Sequence, residues 1–300
     1  MLLGEYAVLH GQHAMVCSID KRIYVILTPR DDSKIILDSA LGSYETTLSR
    51  LDKVAPFQFV LATLHAFKKY IRTGCHIRIE SEFPATVGFA SSAAVTVATL
   101  AVMTEWAGLS LSTTQMIKQA RKIVRDVQGC GSGADVAACV LGGMVFYRMQ
   151  PFVAEKSPFL HPITVVYSGC KTATPVAIKH VQEKFAAYPE LFSRLMNTIN
   201  ECTLQGWAAL NRQDWKALGS IMTIQQGLMD ALGVNTEEIN GILQLLRRAP
   251  VVLGAKISGS GLGDCVVALG ECLLDSSRMP ADAEQIRIHM ASEGVRSEKV

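Results

Sequence analysis

Bare backbone recurs three times in this chain beside a regular element: PATVGFASS at 84–92, GCGSGADVAA at 129–138 and KISGSGLGDC at 256–265. Glycines gathered at the end of a helix or strand leave N–H groups open to a ligand, so they constrain the fold more tightly than bulk composition does. In the first stretch Pro84 opens the turn and Gly88 permits close approach by an anion. Ser91 and Ser92 then set two hydroxyls at the start of an Ala/Val/Thr run that reads as a helix over 90–106. A helix N-terminus carries unpaired N–H groups and partial positive charge, which suits a phosphate; Ser92 could also meet a Mg2+ ion. The ordinary alternative is Ser91 as the N-cap of a core helix. No G-x-x-x-x-G-K-[ST] occurs, so this is not a Walker A loop.

In the second stretch Asp135 enters as the next helix begins, a candidate base for a substrate hydroxyl. A capping acid in a first helical turn is the alternative. A helix, not a strand, leads into this G-x-G-x-G, which argues against a dinucleotide turn. The third stretch joins two short strands and offers Ser258 and Ser260; alone it is a hairpin turn. No G-x-S-x-G nucleophile elbow is present. Taken together, three phosphate-friendly turns, two hydroxyl pairs and one carboxylate are expected to converge on one cleft. Such a set suits phosphoryl transfer, where positioning and charge neutralisation dominate.

Around these turns the pattern is α+β. Two β-rich runs in HAMVCSIDKRIYVILTP, and SKIILDS and CHIRIES, read as strands, and PFQFVLATLHAFKKYIR spaces its apolar residues as a helix does. A third helix is expected over 112–127, with Ser112 and Gln115 as a capping box. MVFYRM and ITVVYSG read as strands, and the proline-bearing MQPFVAEKSPFLHP between them as a linker. From 174 to 248 the chain reads as helices broken near Pro189, Gln213 and Gly233, followed by strand, turn and strand in LGAKISGSGLGDCVVAL. A boundary near 150–162 gives two domains, 1–155 and 156–300.

A net charge of +2 argues against nucleic acid as the main partner, and 19% charged against 49% apolar residues allows a sizeable core. The eight cysteines show no zinc spacing and read as reduced thiols. MLLGEYAVLHGQHAMV has no basic n-region and meets Glu5 early, unlike a signal peptide, and no run is apolar enough to span a membrane. A cytoplasmic protein with no membrane partner is expected.

GEYAVLHG, PATVGFASSAA, GSGADVAA and GAKISGSGLGDC, in this order and spacing, resemble the GHMP small-molecule kinases across nearly the whole chain. The similarity is greatest to the mevalonate and phosphomevalonate kinase branch. The resemblance implies an N-terminal domain like domain 2 of ribosomal protein S5 and a ferredoxin-like C-terminal domain. It implies ATP and Mg2+ as cofactors, and a small-molecule acceptor. By position, Pro84, Gly88, Ala90, Ser91, Ser92 and Ala93 would form the ATP loop, with Ser92 at Mg2+. Asp135 would take or orient the proton of the attacking hydroxyl. Glu5, Tyr6, Gly133, Ser258 and Gly259 would lie at the acceptor, with Gly261 among the third motif's glycines.

The chain also departs from the family pattern. The family's lysine before the GE motif would fall upstream of Met1: either an A-P-G-K-like segment precedes this start, or a pairing partner for Asp135 is missing. The usual Mg2+-binding glutamate falls at Val124, with Asp126 nearby on another helical face, and VGFASS stands where GLGSS is usual. The stretch GLMDALGVNTEEINGIL favours mevalonate as acceptor. Tyr6, Val124 and Gly263-Asp264-Cys265 favour phosphomevalonate, whose phosphate would need cations from Lys21, Arg22, Lys171, Arg247 and Lys256, each read as a solvated charge. A non-catalytic nucleotide or sugar sensor is the reading from another class. A homodimer is the assembly considered.

Overall fold

The structure is a computed structural model that describes residues 1–84 and 87–299; Ala85 and Thr86 of the first glycine-rich stretch lie outside the described residues. In chain order the elements are β1 (Ala14–Cys17), β2 (Ile23–Pro29), β3 (Lys34–Ser39), β4 (Gly42–Thr47), α1 (Gln58–Phe67), β5 (Cys75–Ser81), α2 (Ser91–Trp106), α3 (Thr113–Gln128), α4 (Ala134–Leu141), β6 (Met144–Arg148) and β7 (Val153–Ser157). There follow β8 (Ile163–Tyr167), α5 (Thr174–Phe185), α6 (Pro189–Asn211), α7 (Trp215–Leu232), α8 (Glu237–Arg248), β9 (Gly254–Ser258), β10 (Cys265–Leu269) and β11 (Glu284–Ile286).

Two compact units are interleaved along the chain: Met1–Asp20, Ala85–Phe89 and Gly142–Glu293 form one, and Lys21–Pro84, Ala90–Leu141 and Gly294–Val300 the other. Compactness therefore does not follow a single cut near residue 155. The start of the chain and the β6–β7 hairpin belong with the later residues, because Leu2, Leu3, Met15 and Met144 share a core with Ile163, Val165 and Val267.

In the unit built around residues 21–141, the sheet order is β2-β5-β3-β4. β3 and β5 run parallel with Ile35 opposite Cys75 and Leu37 opposite Ile77, so period-two alternation turns all four inward, fully buried. Helix α2 contacts β2, α1, α3 and α4. Its composition is apolar nearly all round, as a central helix requires. The buried hydroxyls of Thr96, Thr99 and Thr104 donate to the carbonyls four residues back, so no polar group is stranded. The expected Ser112–Gln115 capping box starts α3.

In the other unit, β8–β11 form an antiparallel sheet of order β11-β8-β10-β9. Counted along the chain that is fourth, first, third, second, the order of a ferredoxin-like sheet. The β-α-β-β-α-β pattern is altered in both crossovers. Four helices, α5 to α8, join the first two strands, and a loop with a short 3-10 turn at Ser276–Arg278 joins the last two. The helical breaks fall near Pro189, Gln213 and Gly233, as the sequence indicated. The stretch 149–162, read as a linker, holds β7, which pairs with β6 from Met144–Ser157 to Arg148–Val153.

Candidate active site

Helix α2 starts without a cap of its own. Its N-cap is Ala90, in the left-handed region at φ 55°, ψ 40°, with no side-chain hydrogen bond to the first turn. A non-glycine residue there is uncommon and marks a locally strained turn. The first helical bond runs from the Ala94 amide to Ala90 O at 3.0 Å. The amides of Ser91, Ser92 and Ala93 precede that bond, where an α-helix has no internal partners to give. Ser91 is therefore the first helical residue and not the N-cap, and both serines are half-buried at the mouth. Such an end holds an anion without desolvating a protein charge.

The second glycine-rich turn is braced from beneath. Gly129 caps α3 at φ 76°, and Arg121 Nε donates to Ser132 O at 2.7 Å. Ser132 Oγ accepts from the Ala134 amide at 3.2 Å, and the Ala137 amide bonds Gly133 O at 2.9 Å, so α4 springs directly from the turn. Asp135 is the second residue of α4 and is exposed, its charge favoured by the helix N-terminus. Helix α4 packs against both α2 and α3, so the mouth of α2 and the Asp135 carboxylate sit on neighbouring helices of one unit. Val124 is buried under this turn: a Cβ on Gly131 would stand 3.8 Å from its Cγ1. Asp126 faces solvent, and its main-chain carbonyl takes Lys53 Nζ at 2.8 Å.

The other unit carries the third turn and the GEY segment. Lys256, on β9, is fully buried, with Nζ 2.5 Å from Glu5 Oε1. Gln225 Nε2 donates to Glu5 Oε2 at 2.5 Å, and the Gly4 amide donates to Gln225 Oε1 at 3.2 Å. Burial pulls the Lys256 ammonium below its usual range, against the opposing pull of Glu5. Tyr6 OH donates to Ser260 O at 2.6 Å, and burial, then the Glu5 charge, hold its phenol well above the usual range. Ser258 Oγ donates to Met1 O at 3.1 Å. Gly261 is pressed onto Val234: a Cβ there would meet its carbonyl oxygen at 2.6 Å. Asp264, at φ 63°, is 8% exposed, and its Oδ1 makes no hydrogen bond.

The pattern of the GHMP kinases N terminal domain matches residues 58–143, and that of the GHMP kinases C terminal domain matches 208–292, together more than half of the chain. The chain belongs to the GHMP kinases. It is 29% identical over 289 residues to a mevalonate kinase of Pyrococcus abyssi, covering 90% of this chain and 85% of that one. Among solved structures it resembles the Methanococcus jannaschii mevalonate kinase at TM-score 0.80 and 22% identity, covering 96% of this chain and 95% of that one. The Lactococcus lactis galactokinase solved with galactose matches at TM-score 0.81 and 20% identity, over 98% and 91%. Shape is thus shared with GHMP kinases named for different acceptors and does not by itself select one.

The residues carried over from the GHMP kinase motifs divide between the units. Pro84, Ala90, Ser91, Ser92, Ala93, Gly133 and Asp135 lie in one; Glu5, Tyr6, Gly88, Ser258 and Gly259 in the other. Lys256, read from sequence as a solvated charge, is instead buried against Glu5, because α7 and α8 pack on β9. Gln225 and Asp264 were not singled out as site residues. The one available signal was a lysine and an aspartate flanked by apolar residues in AKI and GDCVV.

Proposed function

We propose that this GHMP kinase transfers the γ-phosphoryl group of ATP to the hydroxyl of mevalonate. The observation that carries the phosphoryl-transfer reading is the uncapped mouth of α2, with Ser91 and Ser92 on it and Asp135 at the head of the adjacent α4. In the proposed step the acceptor oxygen bonds to Pγ, the bond from Pγ to the bridging oxygen breaks, ADP leaves, and the acceptor proton passes to Asp135. The α2 amides offset the charge of the phosphates. Pro84, Gly88, Ala90 and Ala93 shape the ATP loop, and Gly133, Ser258 and Gly259 lend backbone at the acceptor.

Mg2+ fits this chain as a companion of the nucleotide. Among the described residues no group of three or more His, Cys, Asp or Glu could hold a metal. Val124 is apolar packing, which leaves Ser92 as the proposed protein ligand. Mg2+ characteristically binds through substrate phosphates and water with few protein ligands, and it would supply charge neutralisation there.

Mevalonate as acceptor is supported by similarity, over 89–90% of this chain and 85–86% of theirs, to mevalonate kinases of several archaea. A phosphorylated acceptor would need free cations. Lys256, one of the candidates, is committed to Glu5, which weighs against phosphomevalonate. A cytoplasmic setting belongs to the same proposal and accords with eight unpaired cysteines. Assembly as a homodimer is a further proposal that sedimentation would test. The functional reading is tested by ADP release from Mg-ATP with mevalonate, with phosphomevalonate and with no acceptor. Release that depends on mevalonate supports it. Release only with phosphomevalonate, or none with either, overturns it and in the second case returns the chain to a binding role.

A further inference from the structure

The GEY segment is bent into a conformation that a tyrosine does not adopt unaided. Tyr6 lies at φ 61°, ψ −51°, and the Ala7 amide donates to Glu5 O at 2.7 Å, two residues back. That is the rarer, positive-φ form of the γ-turn, a strained arrangement that persists only where the surroundings impose it. The chain immediately before it is also unusual: Gly4 sits at φ 95°, and a Cβ there would stand 2.4 Å from His13 O.

Three buried contacts impose the turn, and all come from sequence-distant elements of the same unit. Both carboxylate oxygens of Glu5 are engaged, Oε1 by Lys256 and Oε2 by Gln225. Gln225 uses its own oxygen on the Gly4 amide, so one side chain fixes both the residue before the turn and the carboxylate within it. Lys256 Nζ also donates to the Ile257 carbonyl, tying its head to the strand that enters the third glycine-rich loop. Two residues into that loop Tyr6 OH closes the ring on Ser260 O. The neighbouring Gln226 accepts from the Ile257 amide at 2.8 Å and adds a brace to β9.

A buried ion pair is weak evidence for net stability, since desolvation offsets much of its attraction. Its better-attested use is to fix one arrangement among alternatives. Here the arrangement fixed is a strained turn, joined by one phenol to a glycine-rich loop that carries two further left-handed non-glycine residues, Leu262 and Asp264. We propose that Lys256 is a positioning residue for acceptor phosphorylation. Through Glu5 it holds the Tyr6 γ-turn, and through Tyr6 the turn sets the Ser258–Gly261 backbone against which the acceptor is held. Glu5 acts by shaping the turn and not by touching the acceptor. This rests on the acceptor reading given above for the third loop.

The test uses three variants of the full chain: Tyr6→Phe, Lys256→Met, and the pair Glu5→Gln with Lys256→Met. Tyr6→Phe removes one hydroxyl and no charge, so it remains informative should Lys256→Met fail to fold. Steady-state kinetics are read beside amide hydrogen exchange of peptides spanning 4–10 and 256–262. Positioning predicts an acceptor KM raised about tenfold in Tyr6→Phe and further in the Lys256 variants, with the KM for ATP nearly unchanged. It also predicts faster exchange in both peptides, even where the melting temperature holds. Folded variants with unchanged acceptor KM and unchanged exchange overturn the proposal. So does a parallel loss of stability and of both KM values. If the parent chain releases no ADP with mevalonate, the acceptor reading fails, and the exchange measurement still decides whether Lys256 and Tyr6 hold the turn.

Discussion

Gly88 and Asp264 lie so close that a Cβ on Gly88 would stand 2.4 Å from Asp264 Oδ1. Gly88 of the first glycine-rich stretch and Asp264 of the third therefore meet within one unit, 176 positions apart in sequence (264 less 88). Beside them Cys265 is buried, and burial, then the Asp264 charge, push its thiol up to about 12, with the Gly88 backbone among the opposing influences. Gly88 is needed here because of what it faces, and the left-handed region is not involved.

Gly88→Ala should consequently push the segment around Gly88, proposed as part of the ATP loop, away from Asp264. The expected result is weaker Mg-ATP binding, with overpacking of about 1–3 kcal/mol. Adding Asp264→Ala should restore most of the affinity. A calorimetric double-mutant cycle checks the coupling, and additive effects would show that the two turns act independently.

Asp264 also predicts a pH dependence of stability. Burial raises its pKa, with Lys171 and the chain's amino terminus pulling the other way. A carboxyl whose folded pKa is raised stabilises the fold while protonated, below its unfolded value, and that contribution is lost as pH rises through the folded value. At neutral pH the buried charge, whose Oδ1 makes no hydrogen bond, is a cost. Asp264→Asn should therefore melt higher than the parent at pH 7, by about 2–4 °C for each kcal/mol recovered. The gap should close toward about pH 4. Thermal melts across that range decide it, and a variant that melts lower at pH 7 would mean that the carboxylate has a partner in solution.

Much of the fold was legible because its signals are local. The capping box at Ser112 and Gln115, the break at Gly233 and the inward alternation of Ile35 and Leu37 each depend on a few neighbouring residues. What escaped depends on distant ones. β4, with the sequence GSYETT, has no apolar alternation and is a strand because β3 pairs with it. β7 was hidden among prolines and is likewise defined by its partner. Lys256 looks like any surface lysine until Glu5, 251 positions away, is placed against it. Ser91 resembled an N-cap because nothing in sequence marks Ala90 as left-handed.

The mouth of α2 gives a prediction that separates its two serines from a capping role. Ser92→Ala should weaken Mg-ATP binding while the melting temperature barely moves. Ser91→Ala should not bring the loss of about 1 kcal/mol expected on removing an N-cap, since Ala90 holds that position. Thermal melts and nucleotide titrations of both variants check this, and a clear destabilisation by Ser91→Ala would contradict the assignment.

The most direct test of the central claim is 31P NMR of the purified chain with Mg-ATP and mevalonate, run beside Asp135→Asn. A phosphomonoester resonance should grow in step with ADP in the parent. In Asp135→Asn it should grow about 100- to 10,000-fold more slowly, with nucleotide binding retained. ADP accompanied only by inorganic phosphate, or a phosphomonoester formed equally fast by Asp135→Asn, would contradict the account.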